Sequence, residues 1–201
     1  MKLQIYFYPQ TLSYTCDPAC LMMALKYFKP KIKLNKKLEF QIWRESFGIG
    51  IPGCMPQGLA YSALIRGLKA EIICKKEKLI QISDKIATGE NKKVSLFTSK
   101  EFLIKSKGLE IKDKEPNLTD IEEAIKLNKI PLVMINMLIL HKIDSPHWIV
   151  VTGYDNENIF INDPYNKQGK DIVIKKEIFI QMLKDLKDYS GLDERVLIIS
   201  S

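Results

Sequence analysis

Histidine is nearly absent from the 201-residue sequence, which contains only His141 and His147. A cysteine nucleophile that relies on an imidazole base must therefore use one of these two residues. The scarcity also argues against a structural zinc site. The four cysteines form no Cys-x-x-Cys pair, although Cys16 and Cys20 lie four residues apart on one helical face. We therefore expect no metal and no cofactor.

Long apolar runs are also missing. The longest, IPLVMINMLIL from Ile130 to Leu140, is too short to span a bilayer and contains Asn136, so we interpret it as a core segment. The N-terminal MKLQIYFYPQTLSY has no basic segment followed by an apolar run and a small-residue cleavage site, and predicts no secretory signal. We expect a cytoplasmic protein with reduced cysteines and no membrane span.

The residues that are abundant are lysine and apolar side chains. The formal net charge is +7, and 46% of the residues are hydrophobic, which favours a globular protein over a disordered one. The lysines are dispersed among glutamates, and no basic run carries interleaved aromatics, so we expect a solvated surface and no nucleic-acid partner. The length fits one domain, residues 1–201, with a sizeable core.

The N-terminal half reads mainly as helices. Asp17 and Pro18 suit a helix start, and the apolar spacing after them predicts a helix from about Pro18 to Phe28. A second helix is predicted in LNKKLEFQIWRES, with three side chains turned inward: Leu38, Ile42 and Trp43. The Gly- and Pro-rich FGIGIPGCMPQG predicts a loop, LAYSALIRGL a third helix that stops near Gly67, and KAEIIC a strand.

The C-terminal half reads mainly as strands. The pattern weakens from Lys75 to Glu115, where we expect a short helix and an irregular excursion. Thr119 and Glu122 suggest a capping box for a helix of roughly Asp120 to Asn128, and PLVMIN a core strand. HWIVVTGYDNENIFINDP predicts a β-hairpin, DIVIKKEIFIQMLKDL a strand and a helix, and RVLIIS a last strand. Helices first and strands later indicate an α+β fold with an antiparallel sheet.

One set of residues carries the elements of thiol catalysis. Cys16 lies at a predicted helix start, where the helix dipole and unpaired N–H groups favour a thiolate. His147 and Asp163 lie at the same open end of the predicted hairpin, as a base and its orienting group, and Gln10 could donate to an oxyanion. Each residue alone also fits a structural role, and His141 is a second candidate base. Only their combination indicates a nucleophilic site.

The stretches QTLSYTCDPACLMMALKYF and PHWIVVTGYDNENIFINDP resemble the papain-like superfamily, in the branch of cysteine peptidase family 39, whose better-known members cleave double-glycine leader peptides. The chain is also similar to stand-alone proteins of this branch often encoded near RimK-type glutamate ligases or acetyltransferases. That similarity extends over IWRESFGIGIPGCMPQGLAYSALIRG, IPLVMIN and DIVIKKEIF, and is weakest over Lys75 to Glu115. It implies a papain-like fold with N-terminal helices packed on an antiparallel sheet. It assigns Cys16, His147 and Asp163 to a triad and Gln10 to the oxyanion hole.

These expectations converge on a cysteine peptidase-like hydrolase that cleaves a peptide or isopeptide-like amide, in a peptide or protein substrate, through an acyl-enzyme. Acyl transfer from the same site and a non-catalytic module that binds a peptide remain alternatives. Asp17 replaces the glycine usual in the family, and a carboxylate beside the thiol opposes thiolate formation. It either caps the helix or projects into the cleft. We expect the loop from Gly50 to Gly58 to line one side of that cleft.

Overall fold

A seven-stranded sheet forms the centre of the computed structural model, which describes residues 1–51, 53–82, 84, 86–190 and 195–201. In spatial order the strands are β2-β1-β7-β3-β4-β5-β6, and every neighbouring pair is antiparallel except β1 and β2. The strands are β1 (Lys69–Cys74), β2 (Glu110–Asp113), β3 (Ile130–Asn136), β4 (Pro146–Tyr154), β5 (Asn158–Asn162), β6 (Ile172–Lys175) and β7 (Val196–Ser200).

Helices surround this sheet. They are α1 (Cys16–Phe28), α2 (Lys36–Ser46), α3 (Pro56–Leu64), α4 (Lys76–Leu79), α5 (Gly89–Lys105), α6 (Leu118–Lys126), α7 (Leu138–His141) and α8 (Lys176–Ser190). Within the described part of the chain, no helix is both long and apolar enough to cross a bilayer.

Alternating side chains on the central strands serve two cores. On β4, Trp148 and Val150 pack into the core that contains α1, α2 and α3, whereas Ile149 and Val151 pack into the core that contains α6 and α8. This period-2 alternation is the pattern of a sheet that is covered on both faces. The fold is therefore mixed α+β, with the N-terminal helices packed on one face of the sheet and α6 and α8 on the other.

Two predicted helix starts were wrong in detail. Helix α1 begins at Cys16 rather than Pro18, after Thr15, so Asp17 belongs to its first turn. The capping box of α6 is formed by Asn117 and Asp120, not by Thr119 and Glu122. Asn is as good a helix cap as Thr, and an acidic residue three positions later completes the reciprocal pair in either register.

The region from Lys75 to Glu115 is more regular than the sequence suggested. It contains the 17-residue α5 and the edge strand β2 as well as the short α4. Helix α5 packs against α3, which itself begins at Pro56 rather than at Leu59. The predicted strand KAEIIC, the hairpin and the last strand are confirmed as β1, as β4 with β5, and as β7.

Candidate active site

The start of α1 lies against the start of β4. Cys20, one turn into α1, donates its thiol proton to the backbone oxygen of Trp148 over 3.3 Å. Cys16 and His147 both line a cavity of about 290 Å³ between these elements. Two elements far apart in sequence thus place the candidate nucleophile and the candidate base at one site.

The pKa of the Cys16 thiol is raised far above its ordinary value. Burial is the main cause, and the neighbouring Asp17 charge adds to it. Backbone hydrogen bonds at Trp148, Asp17 and Cys16 itself act in the opposite direction but are outweighed. Burial therefore opposes the thiolate that the helix start was predicted to favour.

His147 and Asp163 form a buried hydrogen-bonded pair. His147 Nε2 lies 2.7 Å from Asp163 Oδ1, and the relative exposures of the two residues are 2% and 0%. The pKa of Asp163 is lowered, because hydrogen bonds and charge interaction with the imidazoles outweigh the effect of burial. The predicted contact between these two residues is confirmed, and it leaves Nδ1 as the ring nitrogen that can serve another partner.

A β-bulge at Thr152 places His147 and Asp163 on the same side of the hairpin. Gly153 pairs with Phe160 on the turn side of the bulge, whereas Val150 pairs with Asn162 beyond it. Continuing this register puts Asp163 opposite Ile149, on the side of the sheet to which His147 also belongs. Without the extra residue the register would shift by one and send Asp163 to the opposite face.

His141 is a second partner of the same carboxylate. It is the last residue of α7, and its Nε2 lies 2.5 Å from Asp163 Oδ2. The backbone N–H of Tyr165 donates to Oδ1 over 2.9 Å, and the Tyr165 ring packs 4.6 Å from the His141 ring. Both histidines therefore share Asp163, but only His147 lines the cavity with Cys16.

The same cluster is the one group of described residues with the donor set and spacing for a metal ion. The ligand atoms of His141, His147 and Asp163 lie within 4.8 Å of one another. Each imidazole is already paired directly with one carboxylate oxygen, so hydrogen bonding accounts for the cluster. Nothing in this arrangement requires a metal.

The backbone around Asp163 is held by a close turn. Asp163 N–H donates to the Gly169 oxygen over 2.8 Å, and a Cβ at Gly169 would lie 1.9 Å from the Asp163 oxygen. Only glycine fits at this close approach. The adjacent Asn162 faces away from the histidines, since its side chain contacts Met23 and accepts a hydrogen bond from Asp171 N–H.

Gln10 is near the Asp163 end of the site, but its side chain is engaged elsewhere. Its backbone N–H donates to the Pro164 oxygen over 2.9 Å, which joins the segment before α1 to the end of the hairpin. Its Nε2 donates to the Leu12 oxygen over 2.7 Å. The role of Gln10 as oxyanion donor stays a prediction. It requires Gln10 Nε2 to break its hydrogen bond to the Leu12 oxygen and to donate to the substrate instead.

Glu39 of α2 organises the segment that leads into Cys16, and sequence reasoning missed it. It is fully buried and accepts hydrogen bonds from Tyr8 OH (3.1 Å), Thr11 N–H (2.8 Å), Thr11 Oγ1 (2.9 Å) and Thr15 Oγ1 (2.5 Å). The available signal was its spacing, three residues before the buried Ile42 and so on the same face of α2.

Asp17 joins α1 to the glycine-rich loop instead of capping its own helix. The Cys54 backbone N–H donates to Asp17 Oδ2, whereas Oδ1 has no hydrogen-bond partner among the described residues. Burial raises the pKa of Asp17 to about 6, against the lowering effect of its hydrogen bonds to Cys54. The prediction that the loop lines the cleft is confirmed, because residues 51 and 53–57 line the cavity with Cys16.

Comparison with known proteins adds the family context. A sequence profile of the Peptidase_C39 like family matches residues 5–196. A double glycine motif protease from an AMS/PCAT transporter, solved in complex with its leader peptide, is 14% identical, with 100% of this chain and 94% of that chain covered and a TM-score of 0.55. A C39-like peptidase from Bacillus anthracis is 13% identical over 100% of this chain and 98% of that chain, with a TM-score of 0.49. Among curated protein sequences there is no significant match.

Proposed function

Because the chain belongs to the Peptidase_C39 like family, we propose that it is a cysteine peptidase whose nucleophile is Cys16 and whose base is His147. The observation that carries the proposal is that both residues line one cavity while Asp163 holds Nε2 of the His147 imidazole. A histidine fixed through Nε2 presents Nδ1 to a nucleophile and gains a charge partner when it becomes protonated.

The reaction begins from a neutral thiol. Since the pKa of Cys16 is raised, proton transfer from Sγ to His147 Nδ1 accompanies attack on the substrate carbonyl carbon. The tetrahedral intermediate collapses to a thioester as the C–N bond breaks and His147 returns the proton to the leaving amine. Water then attacks the thioester with His147 as base, and releases the carboxylic acid and the Cys16 thiol.

The oxyanion is stabilised by donors at the start of α1. The first N–H groups of any α-helix have no partner inside the helix, and the positive end of the helix dipole lies there. We assign the Cys16 backbone N–H and the Gln10 amide to this role. A substrate carbonyl oxygen that replaces the Leu12 oxygen as the acceptor of Gln10 Nε2 would complete the site.

The substrate class is a peptide or a peptide-like amide. The leader-peptide complex of the double glycine motif protease supports a peptide substrate. The cavity walls are largely apolar, with lining residues that include Ile51, Met55, Ile82 and Met134. Transfer of the acyl group to an amine instead of water would use the same thioester. The partition between the two acceptors depends on whether water or an amine reaches the thioester first.

A non-catalytic peptide-binding module is the second candidate, and the raised pKa of Cys16 favours it. A thiol that stays protonated in a buried site reacts slowly. Such a module would bind peptides in the cavity and leave them intact.

Cleavage of a proteome-derived peptide library, followed by mass spectrometry of new termini, separates these candidates. We expect new termini with the wild type and none with Cys16→Ala. Cys20→Ala is the matched control on the same helix. Intact peptides that are retained by the wild type would overturn the enzyme proposal and support the binding module.

The same library identifies the base. His147→Gln should abolish cleavage, whereas His141→Gln should retain it, because only His147 lines the cavity with Cys16. The reverse result would make His141 the base.

A further inference from the structure

The cavity beside Cys16 is lined by two residues whose buried acceptor oxygens are satisfied by no described residue. Asp17 Oδ1 and Gln57 Oε1 are both buried without a hydrogen-bond partner in the described part of the chain, and both residues are 1% exposed. Both residues line the same cavity. Buried acceptors left unpaired cost free energy, which a ligand with N–H donors would recover.

The orientation of each acceptor is fixed by the bonds it already makes. Gln57 Nε2 donates to the Leu79 oxygen over 2.6 Å and to Ser99 Oγ over 2.9 Å, so reversing its amide would lose the hydrogen bond to Leu79 and bring two oxygens together. Asp17 Oδ2 accepts from Cys54 N–H, which leaves Oδ1 as its open oxygen. Acceptors that are fixed before a ligand arrives lose little conformational freedom on binding.

The charge of Asp17 and the apolar walls of the cavity restrict the chemical class of the ligand. Burial raises the pKa of Asp17 only to about 6, so the carboxyl is mainly ionised at neutral pH. A ligand cation therefore belongs beside the Asp17 carboxylate, with its aliphatic part against the apolar walls of the cavity.

We propose that Asp17 and Gln57 form a subsite for a primary ammonium group on an aliphatic stem, beside the reactive Cys16. An ammonium has three N–H donors and no acceptor, which matches two open acceptor oxygens, one of them on a carboxylate. The inference rests on the proposed function in one respect: the ligand becomes the substrate only if Cys16 is the nucleophile. A lysine side chain and a free chain amino terminus share the required chemistry.

The binding of n-butylammonium, with n-butanol as its uncharged counterpart, tests the subsite without any reaction. We expect millimolar binding of n-butylammonium to the wild type by NMR titration, and at least a tenfold weaker affinity for n-butanol. Asp17→Asn should weaken n-butylammonium binding at least tenfold. Asp113→Asn, at an exposed carboxylate, should leave it unchanged. Equal binding of both ligands, or binding that is insensitive to Asp17→Asn, overturns the proposal.

The Cys16→Ala variant separates this proposal from the proposed function. It cannot form an acyl-enzyme, yet it should retain n-butylammonium binding. If the wild type binds the ammonium but cleaves no peptide, the subsite stands and the peptidase proposal fails.

Two peptide pairs then distinguish the source of the ammonium. Peptides with lysine are compared with norleucine analogues, and peptides with a free amino terminus with acetylated ones. If kcat/KM differs tenfold or more within one pair, and the difference disappears in Asp17→Asn, the charged group of that pair is the one that binds the subsite. Equal kcat/KM values within both pairs for an active wild type would show that no substrate ammonium uses the subsite.

Discussion

Two buried aspartates belong to the candidate site, Asp17 beside Cys16 in the chain and Asp163 behind His147, and their surroundings are opposite. Asp163, at the end of the hairpin, is contacted by two imidazoles and a backbone N–H, and its pKa is lowered. Asp17, at the start of α1, has one donor from the loop and one open oxygen, and its pKa is raised to about 6. The shifts are opposite because hydrogen bonds and the charge interaction with His147 outweigh burial at Asp163, whereas burial outweighs the hydrogen bonds to Cys54 at Asp17.

The difference separates a structural carboxylate from an available one. A fully paired carboxylate gains nothing from a further ligand, so Asp163 fixes the orientation of its neighbours. A carboxylate with an open oxygen inside a cavity gains from any donor that enters. The same residue type can therefore orient a base at one wall of the site and receive a ligand at the other.

Replacing Asp163 by Asn should have the largest effect. The neutral amide keeps an acceptor for Tyr165 N–H but lacks the negative charge that stabilises a protonated His147, so we expect kcat to fall by about 10³-fold or more. Rates of peptide cleavage measure this loss, and circular dichroism should show an intact fold. Asp155→Asn, at the exposed turn of the same hairpin, is the control. Undiminished activity of Asp163→Asn would remove this carboxylate from the mechanism.

Replacing Asp17 by Asn should change how stability depends on pH. The folded pKa of about 6 lies above the ordinary value of 3.8, so the unfolded chain loses its proton first as the pH rises. Between about pH 4 and 6 the wild type should therefore lose up to about 3 kcal/mol of unfolding free energy that the variant keeps.

Urea denaturation of both proteins at pH 4 and pH 7 measures this difference. The lowered pKa of Asp163 acts in the opposite sense, because its stabilising contribution is lost only as the pH falls below about 4. Parallel stability curves for the wild type and Asp17→Asn would show that folding leaves the pKa of Asp17 unchanged.

Replacing Glu39 by Gln tests a third carboxylate, which is buried and paired only with neutral donors. The variant loses charge-assisted hydrogen bonds from Tyr8, Thr11 and Thr15, and we expect a loss of about 2 kcal/mol in unfolding free energy by urea denaturation. Glu101→Gln on α5 is the exposed control. The side chains of Glu101 and its partner Lys105 are about half exposed, so its loss should stay below about 1 kcal/mol. Equal losses of unfolding free energy in the two variants would contradict the expectation that the buried carboxylate of Glu39 contributes more stability than an exposed one.

Replacing Thr152 by Val should have the smallest effect and the opposite sign. The Thr152 hydroxyl is buried and has no hydrogen-bond partner within the described residues, so a methyl group of similar size should raise the unfolding free energy by about 1 kcal/mol. The bulge is a backbone feature and should persist, with peptide cleavage unchanged. A loss of activity together with a gain in stability would show that the hydroxyl itself helps to align the hairpin.

Local signals predicted the hairpin and the strands well. The β-rich runs around Asp155 and Asn158 fix the turn, so the proximity of His147 and Asp163 followed from the sequence. The bulge at Thr152 could not be predicted from the sequence, because one unpaired residue does not change the composition of a β-rich run. Helix α5 was missed because its lysines, serines and threonines interrupt any continuous apolar stripe.

The electrostatics of the site depend on tertiary contacts that the sequence does not display. Whether Asp17 caps a helix or contacts the loop depends on where Cys54 lies. The pKa of Cys16 depends on a burial that a helix-start argument does not include. From the sequence alone Glu39 is expected at the surface. Only the fold brings the hydroxyls of Tyr8, Thr11 and Thr15 within hydrogen-bond distance of its carboxylate.

The position of β7 in the sheet determines when the sheet can form during synthesis of the chain. Residues 196–200 form the strand between β1 and β3, so a nascent chain that ends before them has two half-sheets with unpaired inner edges. The cavity draws its walls from both halves, through Gln57 and Leu79 on one side and Met134 and His147 on the other. Residues 196–200 must therefore leave the ribosome before the two half-sheets can join and close the cavity around Cys16.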